Sequence, residues 1–310
     1  MLSGRCVRLK ISKQIPFGIE RKVISHITTQ SWRNVPHVCF LYEADATELL
    51  KEYAKLSQSG KSKITFNTLL LRMLVEAVKS APQVNAHIRY NRHTSAGRID
   101  YLESVDISMP WLLDNGGMIT VRLRDFGNKS LVDMAEYLED MRRRVLNTNM
   151  ELAMLEVSLW ETRRLVEQGH FIKVLRRLYG AFLGKNRLRR FSKLEKKRHR
   201  DMPEKDGLTA GDLEQGSITV SNIGAATRGL GGAMTLLEII PPQVFAIGIS
   251  AMQDKVLAVD NVAGEKSVAV RKVIPFCLSF DHRALDFNDA APFIRRLDEL
   301  FRAPAIIHKW

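Results

Sequence analysis

The chain has 310 residues, 45% hydrophobic and 26% charged, which suits a protein with a substantial buried core and excludes a disordered, collagen-like or disulfide-stapled one. Its 47 Lys and Arg exceed its 34 Asp and Glu, giving a net charge of +13. Residues 162–200 hold fourteen basic and two acidic residues, so +12 of that charge is local and the rest of the chain carries +1. We therefore do not expect a fold that is basic throughout, as in many nucleic-acid-binding proteins.

Membrane-spanning and secreted classes are not expected either. No run of about eighteen apolar residues predicts a membrane-spanning helix, and the N-terminal segment lacks the apolar core of a secretory signal. The three cysteines, Cys6, Cys39 and Cys277, are widely spaced. We therefore predict no disulfide framework, no metal site and a cytoplasmic location.

In chain order, the apolar pattern predicts helices and strands that alternate along most of the chain. Helical spacing predicts helices over residues 21–33, 47–58, 65–80, 130–144 and 289–301. Apolar runs rich in β-branched and aromatic residues predict strands over residues 38–46, 87–90, 105–109, 117–123, 217–221, 243–250 and 272–280, with a hairpin over 254–270. These elements predict an α/β (or α+β) fold with helices on a mixed β-sheet in two layers.

The pattern changes between residues 150 and 200, where long segments rich in Leu and Arg have helical spacing and no strand signal. Polar turn residues follow at 203–211. We interpret residues 150–205, approximately, as a basic helical insertion within one domain that spans residues 1–310.

The densest group of reactive side chains directly follows the strand predicted at 272–280. Residues 279–286 read SFDHRALD. His282 could accept a proton near neutral pH, and a neighbouring carboxylate could fix its tautomer. The alternative is a solvated turn with a local Asp–Arg pair.

A second group ends the strand predicted at 217–221. Residues 216–224 read GSITVSNIG, and Ser221 could donate a hydrogen bond to an oxyanion, as acyl transfer requires. The alternative is a serine turn at the end of a strand.

Taken in order, these motifs resemble the catalytic core of the dihydrolipoamide acyltransferases of 2-oxoacid dehydrogenase complexes. That core is similar in fold to chloramphenicol acetyltransferase. The resemblance rests on Ser221-Asn222-Ile223-Gly224, Ile240-Pro241-Pro242-Gln243 and Asp281-His282-Arg283 with Asp286, and upstream on residues 21–24, 35–37, 82–86, 117–121 and 208–216. It covers almost the whole chain except about 150–205.

The resemblance implies a mechanism and an assembly. His282 would be the general base that takes the thiol proton from coenzyme A or dihydrolipoamide, and Ser221 would donate to the tetrahedral oxyanion. Asp286 would hold the local geometry by pairing with an arginine, for which Arg21 is one candidate. The active site would be a channel between the subunits of a homotrimer.

The chain departs from the family pattern in three ways: at single residues, before the core and in an insertion. Phe287 stands where the family has glycine, which implies a different turn or a different channel, and Val121 replaces a usual proline. We expect neither a lipoyl domain nor a subunit-binding domain before the core, and we therefore expect a lipoyl group to be supplied in trans. The C-terminal residues 303–310 would dock on a neighbouring trimer or pack on their own domain.

The insertion is the third departure. Residues 169–183 predict an amphipathic helix, and a basic run follows at 187–200. This composition suits an anionic membrane surface or an acidic partner. The alternatives are a helix packed on the core or on a neighbouring subunit, and a lid that selects a hydrophobic acyl chain.

We therefore expect an acyltransferase that moves an acyl group between coenzyme A and a thiol acceptor, without a metal. One alternative is a non-catalytic trimeric scaffold that binds a membrane or an acidic partner through the insertion. Another is a chloramphenicol acetyltransferase-like enzyme with a small-molecule acceptor. The acyl group and the acceptor stay open.

Overall fold

The computed structural model describes residues 10–58, 64–113, 117–167, 169, 171–179, 191–203, 205–260 and 264–310. Their helices are α1 Ile19–Asn34, α2 Thr47–Gln58, α3 Phe66–Lys79, α4 Leu131–Asn147, α5 Met150–Glu167, α6 Phe171–Leu178, α7 Lys193–Arg200 and α8 Phe287–Arg302. Their strands are β1 His37–Asp45, β2 Ala86–Asn91, β3 Ala96–Tyr101, β4 Ile107–Leu112, β5 Met118–Leu123, β6 Ile218–Asn222, β7 Phe245–Ile249, β8 Gln253–Asp260 and β9 Lys266–Asp281. None of the helices in these ranges is long and apolar enough to cross a membrane.

The strands form one large mixed sheet and one small hairpin. The large sheet has the order β1-β9-β7-β6-β4-β5, with β8 paired to the first half of β9, and β2 pairs with β3 separately. The pairs β4–β6 and β6–β7 are parallel and the others in the sheet are antiparallel. The predicted mixed α/β fold is therefore confirmed.

One face of the sheet is apolar and is covered by helices. Alternate strand residues such as Phe245 and Phe276 are fully buried there. They meet α8 in edge-to-face contacts with Phe293 and Phe301, with ring centroids 5.1 and 5.8 Å apart. Period-2 alternation in the strands and a buried stripe on each helix explain why these elements form one core.

The opposite face carries small polar residues, because a loop rather than a helix covers it. We call residues 223–243 the covering loop. Its backbone N–H groups at Met234 and Leu237 donate to Ser250 Oγ (2.8 Å) and Ser279 Oγ (3.3 Å). The hydroxyls of this face thus accept hydrogen bonds from N–H groups of the covering loop that would otherwise be buried without partners.

Two elements differ from the sequence predictions. β9 is one continuous strand of 16 residues, although the sequence predicted a hairpin strand and a separate strand at 272–280. The same strand pairs with β8 in its first half and with β1 and β7 in its second half, so one segment serves two neighbours. The sequence also missed β3, whose residues Ala96–Tyr101 are mostly exposed and lack an apolar run.

The predicted insertion contains the helices α5, α6 and α7, and its base is held together. Thr148 Oγ1, where the chain leaves α4, accepts from the Leu208 N–H at 2.7 Å. Arg143 pairs with Asp206 at 3.0 Å. The insertion therefore departs from and returns to one point of the core. The end of the predicted amphipathic helix and the start of the basic run, at 180–190, lie outside the described residues.

The C-terminal residues pack on their own chain. Ile307 is fully buried, His308 Nε2 lies 2.8 Å from Glu52 Oε2 on α2, and the Arg72 guanidinium lies 5.5 Å from the centre of the Trp310 ring. Of the two predicted placements of this segment, the structure shows packing on α2 and α3.

Candidate active site

The turn that carries His282 is fixed by a buried carboxylate. Asp281 is fully buried and accepts from the Arg283 N–H (3.0 Å) and from Arg283 Nη2 (2.6 Å). Its backbone oxygen accepts from the N–H groups of Ala284 and Leu285, and the His282 N–H donates to Pro36 O at 3.0 Å. The Asp–Arg pair considered as an alternative to catalysis is present, and it holds the histidine in place.

The contacts of the imidazole define its tautomer. His282 Nδ1 lies 3.1 Å from Leu285 O. Because a carbonyl oxygen can only accept, this hydrogen bond requires a proton on Nδ1, which leaves the lone pair on Nε2. The ring is half exposed, so Nε2 is available as a base.

Asp286 contacts the same ring nitrogen, with Oδ1 at 3.3 Å from His282 Nδ1. Its backbone N–H donates to Asp289 Oδ2 at 2.8 Å and so begins α8. No arginine pairs with Asp286 among the described residues, and Arg21 lies on α1. The arginine of the motif, Arg283, pairs with Asp281 instead.

Phe287 is accommodated by an ordinary helix start. It is the first residue of α8 and has no positive φ, so the turn does not need glycine here. Its ring packs edge to face on Phe40 of β1, with centroids 5.3 Å apart. Val121, the other departure, is fully buried in β5.

Ser221 lies near the end of β6 on the polar face of the sheet and is 9% exposed. Its neighbours on that face, Ser217 and Thr219, use their hydroxyls within the chain, on Asp106 and on Gln243. The described hydrogen bonds include none to Ser221 Oγ. Beside it on β7 is Gly248, where a Cβ would overlap Met234 Sδ of the covering loop.

The sheet register separates His282 from Ser221. Ser221 of β6 pairs with Gly248 of β7, and Gly248 pairs with Cys277 of β9. Cys277 lies five residues before His282, which directly follows β9. With about 3.3 Å per residue along a strand and about 4.8 Å between strands, the two residues lie on the order of 20 Å apart, at opposite ends of the strands. Within one chain the structure does not bring the two predicted site residues together.

A cavity of about 470 Å³ lies at the same end of the sheet as His282. Its polar lining includes His87, Asp106, Arg122 and Ser217. Burial lowers the pKa of His87, whose Nε2 lies 3.0 Å from Gly216 O. The sequence does not predict this cavity, because its walls come from distant segments and no local motif marks them.

Comparison with known proteins places the fold. The family model described as 2-oxoacid dehydrogenases acyltransferase (catalytic domain) matches residues 10–157 and 191–308. The lipoamide acyltransferase component of the branched-chain alpha-keto acid dehydrogenase complex of Pseudomonas aeruginosa is 24% identical over 293 residues, which are 94% of this chain and 51% of that protein. The corresponding Pseudomonas putida protein is 24% identical over 96% of this chain and 54% of its own length. The chain therefore spans about half the length of these curated relatives.

Solved structures agree on the fold. A probable dihydrolipoamide acetyltransferase from Listeria monocytogenes superposes with a TM-score of 0.63 at 18% identity, covering 94% of this chain and 95% of that one. The dihydrolipoamide acetyltransferase of Azotobacter vinelandii gives 0.61 at 20% identity, over 96% and 93%. That structure concerns the catalytic roles of one serine, one histidine and one asparagine four residues after the histidine. The predicted resemblance is confirmed: this chain belongs to the family of 2-oxoacid dehydrogenase acyltransferase catalytic domains.

Proposed function

We propose that the protein transfers an acyl group between coenzyme A and a thiol, with a lipoyl group as the acceptor or donor. The observation that carries this proposal is the His282 turn, in which a carbonyl oxygen fixes the proton on Nδ1 and leaves Nε2 as an exposed base. Family membership supports the reaction class.

The groups have complementary roles in thioester exchange. His282 Nε2 takes the proton of the attacking thiol, and the thiolate attacks the thioester carbonyl. Ser221 Oγ–H donates to the oxyanion, a bond that strengthens as negative charge develops. The intermediate then expels the other thiolate, which takes the proton back from the imidazolium. Asp286, four residues after His282, positions the ring, and the Azotobacter enzyme has an asparagine at that spacing from its histidine.

Two copies are needed for this chemistry. A base and an oxyanion donor must both lie within about 3 Å of the reacting atoms, yet His282 and Ser221 are on the order of 20 Å apart in one chain. A ring of copies, in which one end of the sheet meets the opposite end of the next, would join them. We propose the homotrimer that the family resemblance implies, and one relative in this fold is the cubic core of a pyruvate dehydrogenase complex.

An exposed sheet surface supports this assembly. We call β8 and residues 266–272 of β9 the arm; it extends the sheet beyond its Ser221 end. Its outer face exposes Val256, Val268 and Val270, between 67% and 75%. Ion pairs join Lys272 to Asp254 and Lys266 to Asp260 at the two ends of this face. A copy that brings its His282 to Ser221 would lie beside the arm and could cover it.

The direct test is thiol release from a panel of acyl-coenzyme A thioesters with dihydrolipoamide as acceptor. We expect wild type to turn over and His282→Ala to lose about a hundredfold or more of kcat. Asp286→Asn, which keeps the Leu285 carbonyl contact, should lose much less.

Two outcomes would contradict the proposal. A folded, oligomeric wild type that is silent with every thioester and with both dihydrolipoamide and small-molecule acceptors would favour the scaffold alternative. Turnover only with a small-molecule acceptor would favour the chloramphenicol acetyltransferase-like alternative.

A further inference from the structure

One part of the chain is not matched by the family model. The family model matches up to residue 157 and resumes at residue 191, so residues 158–190 have no counterpart in it. The base of this excursion is closed by contacts between 143–148 and 206–212. The hydrogen bonds that hold the His282 turn lie outside this excursion, and its surface chemistry calls for a separate explanation.

The helix α6 exposes an apolar face. Phe171, Ile172 and Leu175 of α6, and Tyr179 directly after it, are between 62% and 69% exposed. Successive helical residues are about 100° apart, so these four positions fall within an arc of about 100°. Val174, on another side of the helix, is 8% exposed, because α6 packs there on the rest of the insertion. Aliphatic and aromatic side chains thus form a continuous stripe that the described part of the chain leaves uncovered.

Basic residues accompany this stripe. Residues 158–190 include nine basic and two acidic residues. The next described helix, α7, adds Lys193, Lys196, Lys197 and Arg198, all exposed and without an ion pair among the described residues. His199 is the exception, because its side chain is only 9% exposed. Its Nε2 lies 3.2 Å from Glu156 Oε2, and this contact joins α7 to α5.

We propose that α6 and α7 bind the surface of an anionic lipid bilayer, with the apolar stripe of α6 in the headgroup region and the basic residues on the lipid phosphates. An apolar helix stripe within a strongly basic segment is the composition of interfacial helices. Carboxylates of an acidic protein or phosphates of a nucleic acid would neutralise the charge but would not by themselves cover the apolar stripe, whereas an anionic bilayer supplies both phosphates and an apolar interior. The rest of the chain carries a net charge of only +1, so a second copy has no net negative charge to balance a segment of +12.

The test is flotation of the full-length protein with two kinds of vesicle, pure phosphatidylcholine and an equal mixture of phosphatidylcholine and phosphatidylglycerol. We expect binding to the anionic vesicles to be at least about tenfold tighter and to weaken as salt shortens the screening length from about 10 to about 3 Å. The double variant Ile172→Glu/Leu175→Glu should lose binding at least about tenfold. The double variant Lys196→Glu/Lys197→Glu should also lose binding, and more at low salt than at high salt.

The matched control is Val132→Glu/Leu146→Glu, which places the same charges on exposed apolar positions of α4, outside the insertion. It should bind as wild type does. Absence of binding to anionic vesicles by wild type would overturn the proposal, and so would equal losses in the control. Salt-sensitive binding to polyglutamate without vesicle binding would instead assign the surface to an acidic protein. Dissociation of the oligomer by the α6 variant would assign the stripe to a second copy.

Discussion

The two ends of the central strands carry their reactive groups in different ways. At one end, His282 is held by its own turn, through Asp281, Pro36 O and Leu285 O. At the other end, Ser221 has a hydroxyl that no described hydrogen bond uses, beside an arm with an exposed apolar face. The turn thus fixes His282 within one chain, whereas the Ser221 hydroxyl has no hydrogen-bond partner among the described residues. In the function we propose, each end supplies half of a site shared between two copies, so that assembly is part of the chemistry.

The largest effect should come from removing the Ser221 hydroxyl. Ser221→Ala is expected to lower kcat by about 10²- to 10³-fold with little change in stability, because the hydroxyl makes no described bond in the ground state. The matched control is Ser279→Ala on the same face of the sheet, where the hydroxyl accepts from the Leu237 N–H. That variant should lose about 1 kcal/mol of unfolding free energy and keep most of its kcat. Steady-state kinetics and urea unfolding of both variants check this, and equal kcat losses would contradict it.

At the end of the strands that carries His282, the buried Asp281 carboxylate should matter more for stability than for the reaction. Asp281→Asn leaves the Arg283 guanidinium without its charged partner at a fully buried position, and we expect a loss of about 3 kcal/mol in urea unfolding. The exposed Asp286→Asn is the control and should change the unfolding free energy by less than about 0.5 kcal/mol. If the two variants were equally stable, the Asp281 network would not be what holds the turn.

The smallest effect concerns His87, at the same end of the sheet. Burial lowers its pKa below the ordinary 6.5, so the unfolded chain binds the proton more readily than the folded one. The stability that neutral His87 contributes is present above pH 6.5 and is lost as the pH falls through the lowered pKa. His87→Gln, which keeps a donor for Gly216 O, should therefore show a shallower fall in Tm on acidification. A fall in Tm as steep as that of wild type would show that His87 does not cause the loss of stability at low pH.

The sequence predicted most of the secondary structure, and it located the two motifs that we propose as halves of one site. The His282 and Ser221 motifs were visible because each is local: one polar cluster directly follows an apolar strand, and one serine ends another. The helices of the insertion were predicted from Leu and Arg at helical spacing, and they are present as α5, α6 and α7.

What the sequence could not predict depends on pairing between distant segments. The continuous β9 was missed because its two halves have different partners, β8 and then β1 with β7. The glycine that the family has at the position of Phe287 is not needed here, because Asp286 and Asp289 form the helix start. The separation of His282 from Ser221 follows from strand register, which no motif states.

The most direct test of the shared site is complementation between two inactive variants, His282→Ala and Ser221→Ala, co-expressed with different tags. In a ring of three copies joined end to end, each mixed trimer contains one interface with an intact His282 and an intact Ser221. Random mixing in equal amounts should therefore restore about a quarter of the wild-type activity. Co-purification of both tags shows that mixed oligomers have formed. Mixed oligomers no more active than the separate variants would contradict a site shared between copies.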